Sequence, residues 1–165
     1  MGKKTNITIT AMKKEDMDQV LAIEQASFSM PWSKNLFLSE FRSPAISTLM
    51  VALENVSIRT VVGYIVCWLV HDEMHILNLA VTPRCRRSGI ARRLVLEALR
   101  RSYLKGAKHA YLEVRTSNEA AQKLYANLGF AGTSVRRDYY DMPVEDAIIM
   151  TMDKGSFMAL ATLGE

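Results

Sequence analysis

Apolar residues recur along this chain with two periods, near two and near 3.6 residues, and the switches between them mark its elements. Ile7–Thr10 alternates and predicts a short strand. Across Glu15–Phe28 the positions Met17, Val20, Leu21, Ile23, Glu24 and Phe28 fall at mostly helical spacing, which predicts an amphipathic helix ended by Pro31. Ser33 is placed to cap a second helix over Lys34–Arg42, ahead of Pro44. Strands are predicted at Ser47–Leu53, Val61–Val70 and Met74–Val81, with turns at Asn55 and His71-Asp72, as in an antiparallel meander. The longest helix opens at Ser88-Gly89 and runs to about Lys105, with Ile90, Leu94, Val95, Ala98 and Leu99 as its buried stripe and Gly106 as its stop. Ala110–Val114 predicts a strand. The Thr116–Glu119 spacing fits a capping box and starts a helix near Asn118, which Gly129 ends. Thr133–Arg137 and Ala147–Asp153 predict the last strands. The order β-α-α-β-β-β-α-β-α-β-β implies an α/β fold, a mixed sheet with helices on both faces.

Composition adds bounds to this picture. The chain has 165 residues, 49% hydrophobic and 23% charged, which suits one globular domain with a sizeable core. Its net charge of +4 is unevenly spread: residues 84–108 hold nine Lys/Arg and one acid, a local +8, so the remainder carries −4. So local a field points to one anionic ligand or partner. The start shows no apolar signal segment, Asn6 breaks the myristoylation pattern that begins at Gly2, and the apolar run Val61–Val70 is about half a membrane helix, so no membrane role is expected. Cys67 and Cys85 form no CxxC and no zinc spacing, which fits a reducing cytoplasm. His71, His75 and His109 lack metal-ligand spacing, and the two that flank the turn are expected to be solvated; no metal is expected. The ten methionines are scattered and read as core filler.

The charge concentrates in Arg84–Val95, "RCRRSGIARRLV", which joins a strand to a helix start. The first turn of a helix carries unpaired N–H groups and the positive end of the macrodipole. Gly89 lets the backbone approach a bulky anion, Ala91 is the next smallest choice, and Arg86, Arg87 and Arg92 add positive charge at the rim. No Gly-Lys-Ser/Thr and no second glycine in a Gly-x-Gly-x-x-Gly frame follow, which excludes a Walker A loop and a dinucleotide fingerprint.

"RRSGIA" resembles the Gln/Arg-x-x-Gly-x-Gly/Ala pyrophosphate loop of the GNAT (Gcn5-related) N-acetyltransferases, and "LNLAVTP" resembles the strand before it. "MPWS", "LEVRTSNEAAQKLYANLGF" and "RRDYY…EDAIIM" resemble one branch of that superfamily, the RimI-type ribosomal-protein alanine N-acetyltransferases. The resemblance covers about Ile7 to Lys154. It implies a single GNAT domain over residues 1–154, with a tail over 155–165, and a fold whose fourth and fifth strands splay to admit acetyl-CoA. It implies that Leu79, Ala80 and Val81 offer backbone to the acetyl and pantetheine portion. Arg86, Arg87, Ser88, Gly89, Ile90, Ala91 and Arg92 would wrap the pyrophosphate, and Asn118 would touch the cofactor arm. It further implies Glu113 as general base and Tyr125 as the acid that protonates the departing thiolate. Trp32, Tyr139 and Tyr140, with Phe28, become candidates for the acceptor groove.

Read without the resemblance, Glu113 is an awkward carboxylate in a strand, suited to a wet cleft or to a pair with Arg115 or Lys108, and Tyr125 is a helical aromatic that could pack on Ala121 and Leu128. Tyr139 and Tyr140 are consecutive in an extended segment and so are expected on opposite sides. Asp138 and Asp141 suit either a cationic N-terminus or solvent.

Amine chemistry favours an N-terminal acceptor. A peptide α-amine with pKa near 8 is roughly a tenth neutral at pH 7, a cost of about 1.4 kcal/mol, against about 4.6 kcal/mol for a lysine near 10.4. A lone carboxylate suits the smaller task. A phenol near 10 and a thiol near 8.5 differ by roughly 2 kcal/mol, within reach of a tyrosine acid. An acyl-cysteine route is disfavoured, because Cys67 lies in an apolar strand and Cys85 has no nearby histidine. The resemblance implies direct transfer from acetyl-CoA to the N-terminal alanine of a ribosomal protein, small-subunit protein eighteen. Other amines on the same fold are the alternative. A non-catalytic RNA-docking module is the reading from another class. Glu113 and Tyr125 together, and arginines without interleaved aromatics, argue against it and leave RNA contact secondary. No DNA partner is expected.

Overall fold

The computed structural model describes residues 6–163. The basic start at residues 1–5, including the Gly2 of the myristoylation pattern, lies outside the described residues, as do the last two positions. Seven strands form one sheet: β1 (Thr8–Ala11), β2 (Ser47–Asn55), β3 (Thr60–Val70), β4 (Glu73–Val81), β5 (His109–Arg115), β6 (Ala131–Asp141) and β7 (Val144–Met152). Five helices accompany them: α1 (Met17–Ser27), α2 (Lys34–Phe41), α3 (Ile90–Leu104), α4 (Glu119–Ala126) and α5 (Lys154–Ala161). The strand order is β1-β2-β3-β4-β5-β7-β6. β1 and β2, β5 and β7, and β7 and β6 pair antiparallel. β4 and β5 pair parallel, Glu73 opposite His109 through Ile76 opposite Leu112. A parallel pair needs a crossover, and α3 supplies it. The predicted mixed α/β sheet is therefore the observed one.

The chain divides into two compact units, Met1–Val66 with Asn78–Val95 and Cys67–Leu77 with Leu96–Glu165; β3, β4 and α3 have residues in both. In the first unit the core holds Val20, Phe37, Met50, Leu53, Tyr64, Ile65 and Leu94, all fully buried. Ser33 caps α2 as predicted, accepting from the Leu36 N–H. Gly63 sits at a close approach: a Cβ there would stand 3.1 Å from the Ala80 carbonyl oxygen and 3.3 Å from Leu94, so its neighbours would have to give by a few tenths of an ångström. Asp16 is buried and bound at both oxygens by Arg59, at 2.8 and 2.6 Å. The 3-10 turn Lys14–Asp16 splits off the first residues of the single helix the periodicity predicts.

In the second unit Cys67, Met74, Leu99, Leu112, Leu128, Met152 and Phe157 are buried. The α3 stripe Ile90, Leu94, Val95, Ala98 and Leu99 is buried throughout, as its spacing requires. Gly106 ends that helix at φ 98° and Gly129 follows α4 at φ 91°. The cap of α4 is Asn118, whose Oδ1 accepts from the Ala121 N–H, while the Thr116 hydroxyl donates to Glu145. The tail beyond Lys154, which the sequence left unplaced, forms α5. Asp153 caps it, and it packs on β5 through the buried face that carries Phe157 and Ala161. No helix among the described residues is long and apolar enough to cross a membrane, and no cluster of metal-ligating side chains occurs among them.

Candidate active site

The first unit carries the arginine-glycine turn. β4 ends at Val81, a short 3-10 turn over Pro83–Cys85 follows, and α3 starts at Ile90. Arg87 and Gly89 both adopt left-handed backbone, φ 62° and 80°, which coils the loop ahead of the helix. The first i to i−4 bond of the helix is Arg93 N–H to the Gly89 carbonyl, so the N–H groups before it have no intrahelical acceptor. A Cβ on Gly89 would meet nothing within 4 Å. Open space beside exposed N–H groups at the positive end of a fifteen-residue helix is what a diphosphate needs. Ile90 is buried, so it offers only its backbone. Ala91 is half-buried, and Ser88 turns its hydroxyl onto the Cys85 carbonyl.

The arginines of the turn divide into two groups. Arg84 forms an ion pair with Glu54 at 2.6 Å, and Arg93 donates to the Ile7 carbonyl at 2.7 Å. Arg86, expected at the rim, folds back: its Nε donates to the Val81 carbonyl at 3.0 Å and its guanidinium to Ser27 Oγ at 3.1 Å. Arg87 and Arg92 are exposed and have no side-chain partner among the described residues.

Leu79, Ala80 and Val81 close β4 beside a buried polar network that sequence reasoning missed. Glu24 lies in the apolar stripe of α1 and is buried; it accepts from Tyr64 Oη, from Asn78 Nδ2 at 3.1 Å to each oxygen, and from the Trp32 N–H at 2.7 Å. Burial pushes its carboxyl up, opposed by the Trp32 and Asn78 hydrogen bonds. A glutamate inside a buried stripe, with an asparagine inside an alternating strand, was the signal available. Trp32 is thereby held by its backbone, and its ring lies tilted against buried Phe37 with centroids 5.3 Å apart.

The second unit carries the carboxylate and the tyrosines. β5 alternates strictly, with Ala110, Leu112 and Val114 buried and Tyr111, Glu113 and Arg115 on the other face, half-buried. Glu113 pairs with neither Arg115 nor Lys108, because those cations are taken by Glu145 and Asp72. Its Oε1 instead accepts from Tyr111 Oη at 2.8 Å and from Arg136 at 2.9 Å. His75, expected in solvent, pairs with Glu73 at 2.7 Å and lays its ring 4.9 Å from that of Tyr111. Desolvation and the Glu113 carboxylate push the Tyr111 phenol up to about 12.

Tyr139 and Tyr140 do not point to opposite sides. A register shift between Arg136 and Tyr140, with Asp138 at φ 49°, breaks the alternation of β6, and the two rings meet edge to face at 5.0 Å. The Arg136 guanidinium lies 5.5 Å from the Tyr139 ring centre and that of Arg115 lies 4.0 Å from that of Tyr140. Tyr125, on α4, is buried with its ring edge-on to Phe130 at 5.5 Å. Burial pushes its phenol well up, and Cys67 and Tyr140 add to the shift, so the proton stays on oxygen at neutral pH. Burial likewise pushes the Cys67 thiol up, which disfavours a thiolate there. Asn118 uses Oδ1 to cap α4, leaving its amide nitrogen to donate elsewhere.

The sequence profile of the Acetyltransferase (GNAT) family matches residues 17–130. The chain is 31% identical over 147 residues to the [ribosomal protein bS18]-alanine N-acetyltransferase of Haemophilus ducreyi, covering 87% of this chain and 98% of that protein. It is 31% identical to the enzyme of the same name from Escherichia coli K12, covering 88% and 96%. Among solved structures, the ribosomal-protein-S18-alanine N-acetyltransferase from Escherichia coli superposes with a TM-score of 0.80 at 31% identity, covering 90% and 94%. Ard1 from Thermoplasma volcanium superposes with a TM-score of 0.81 at 30% identity, covering 89% and 97%.

Proposed function

Starting from a chain that belongs to the GNAT family of acetyltransferases, we propose that it acetylates the α-amine of a ribosomal protein's N-terminal alanine, with acetyl-CoA as donor. The acceptor is the one printed in the names of relatives that align over nearly their whole length. The same reading takes residues 1–154 as the acetyltransferase domain, with α5 starting at its edge.

Acetyl-CoA supplies an acyl thioester, which is already activated toward an amine. The N–H groups at the mouth of α3, with Gly89 open and Arg87 and Arg92 exposed, hold its diphosphate. The backbone of Leu79, Ala80 and Val81 would orient the acyl arm, and Asn118, whose amide nitrogen is not used in capping α4, is separately assigned to cofactor binding. Arg86 works differently from the other rim arginines: it ties the end of β4 to α1 and so holds the turn in shape.

Glu113 accepts the proton that the ammonium must lose. The observation that carries this role is a half-buried carboxylate on the more open face of β5, already bound by two hydrogen-bond donors. Tyr125 keeps its proton on Oη, so it serves the departing thiolate first as a hydrogen-bond donor; the burial that raises its phenol makes outright proton transfer costlier than the roughly 2 kcal/mol that separate an ordinary phenol and thiol. Trp32, held by Glu24 in the first unit, and the paired rings of Tyr139 and Tyr140 in the second are each assigned to acceptor binding.

Mass spectrometry of peptides incubated with the protein and acetyl-CoA tests the reading. Ala-started peptides should gain one acetyl group at the N-terminus faster than Ser- or Met-started ones. Internal-lysine controls should gain none. Equal labelling of the lysine controls would overturn the acceptor assignment.

A further inference from the structure

The cation on Glu113 comes from far away in the sheet. Glu113 stands opposite Ile149 of β7, and Ile149 stands opposite Ser134 of β6, so Arg136 reaches across a whole strand to make its 2.9 Å contact. Its side chain is 52% exposed against 22% for Glu113, so the guanidinium sits on the solvent side of the carboxylate. The neighbouring Arg115 is held quite differently. It pairs with Glu145, donates to the Met142 and Pro143 carbonyls, and stacks on Tyr140 at 4.0 Å, which fixes it. Arg136 has one ion pair and, at 5.5 Å, the looser ring contact with Tyr139. Exposed pairs of this kind are weak, so another cation can break this one.

The proposed acceptor brings such a cation. An α-amine with pKa near 8 is mostly protonated at neutral pH. To give its proton to Glu113 it must reach, directly or through one water, the carboxylate that Arg136 now occupies. A guanidinium does not give up its own proton, so the Arg136 pair itself leads nowhere chemically.

We propose that Arg136 is an internal competitor for the acceptor's ammonium group, seated on Glu113 until a protein N-terminus displaces it. This rests on the reading of Glu113 as the base. No covalent bond changes in the exchange: one cation replaces another at the same carboxylate. The Tyr139 ring is the surface on which the displaced guanidinium stays. Acetylation removes the acceptor's charge, so the product has no ion pair with Glu113; once the proton that Glu113 took from the ammonium has passed to solvent, the carboxylate is ionised again and Arg136 returns to it. Arg136 thus sets how tightly free N-termini bind and discriminates them from acetylated ones.

The test is calorimetric titration of an Ala-started peptide into protein saturated with CoA, a complex that cannot turn over. Arg136→Met should tighten binding about threefold to fivefold, the size of a lost exposed pair; Arg136→Gln should do the same. Arg136→Lys, which keeps the charge, should return most of the wild-type Kd. The tightening should vanish for the N-acetylated peptide and in a Glu113→Gln background. Unchanged or weaker binding in both neutral variants overturns the proposal, as does equal tightening by Arg136→Lys. Turnover of Glu113→Gln separates the two readings. Lost turnover without tightening by Arg136→Met overturns the competitor and leaves the base. Full turnover with tightening overturns the base and leaves Arg136 competing at a carboxylate that only binds.

Discussion

The turn ahead of α3 and the β6–β7 end of the sheet are both rich in arginine, and they use it in opposite ways. At the turn, the guanidiniums of Arg86 and Arg93 go to backbone carbonyls and that of Arg84 to Glu54. What remains for a ligand is mostly N–H groups of the helix start, with Arg87 and Arg92 at the edge. At the sheet end, Arg115, Arg136 and Arg137 are paired one to one with Glu145, Glu113 and Asp146. Charge there is balanced, and two of the three guanidiniums lie against tyrosine rings. The first region is shaped to receive an anion, whereas the second can exchange one cation for another. Local charge density in the sequence therefore located a cluster of arginines, but did not show how many of their charges stay available.

The comparison breaks most sharply at Glu113. Glu113→Gln should lower turnover by about 10²–10⁴-fold, the span of general base catalysis, across pH 6–9, with CoA affinity unchanged by calorimetry. Full turnover in that range removes the base from the second region. The next largest effect belongs to the first region. At Gly89, whose φ is 80°, an Ala substitution should cost about 1–2 kcal/mol in urea unfolding for the left-handed backbone alone. No protein atom lies within 4 Å of the new Cβ, so any loss of CoA affinity beyond that backbone effect reports on the ligand and not on a clash.

A finer test separates the arginines of the turn. Arg87→Ala should weaken CoA about tenfold, the size of one charge-assisted hydrogen bond, and reduce the salt dependence of binding. Arg86→Ala should act mainly on stability, by about 1 kcal/mol, because its bonds hold β4 and α1. If the two variants behave alike, the division between structural and ligand-facing arginines fails.

The smallest effect is read with acid. Glu145 is held down to about 2 from an ordinary 4.5, first by the Ser117 backbone and side chain, then by Thr116 and Arg115, with burial opposing. The folded state therefore binds fewer protons than the unfolded state between those values. The stability Glu145 contributes is fully present above about 4.5 and is lost as pH falls toward 2. Glu145→Gln should flatten the dependence of the urea midpoint on pH in that window and leave the dependence above pH 6 unchanged.

What the sequence determined by itself was everything set by short-range periodicity and steric demand. The α3 stripe, the Ser33 cap and the glycines after α3 and α4 depend on neighbours within a few residues, and each is where its local pattern requires. The order of elements and the family motifs were legible for the same reason. The tertiary structure alone decided which partner each charge takes. Glu113 finds Arg136 from two strands away, Glu24 collects Tyr64 and Asn78 from β3 and β4, and one bulge turns Tyr139 and Tyr140 toward each other. Long side chains reach several ångströms across a sheet, so their pairing follows strand order and register, which no local pattern encodes.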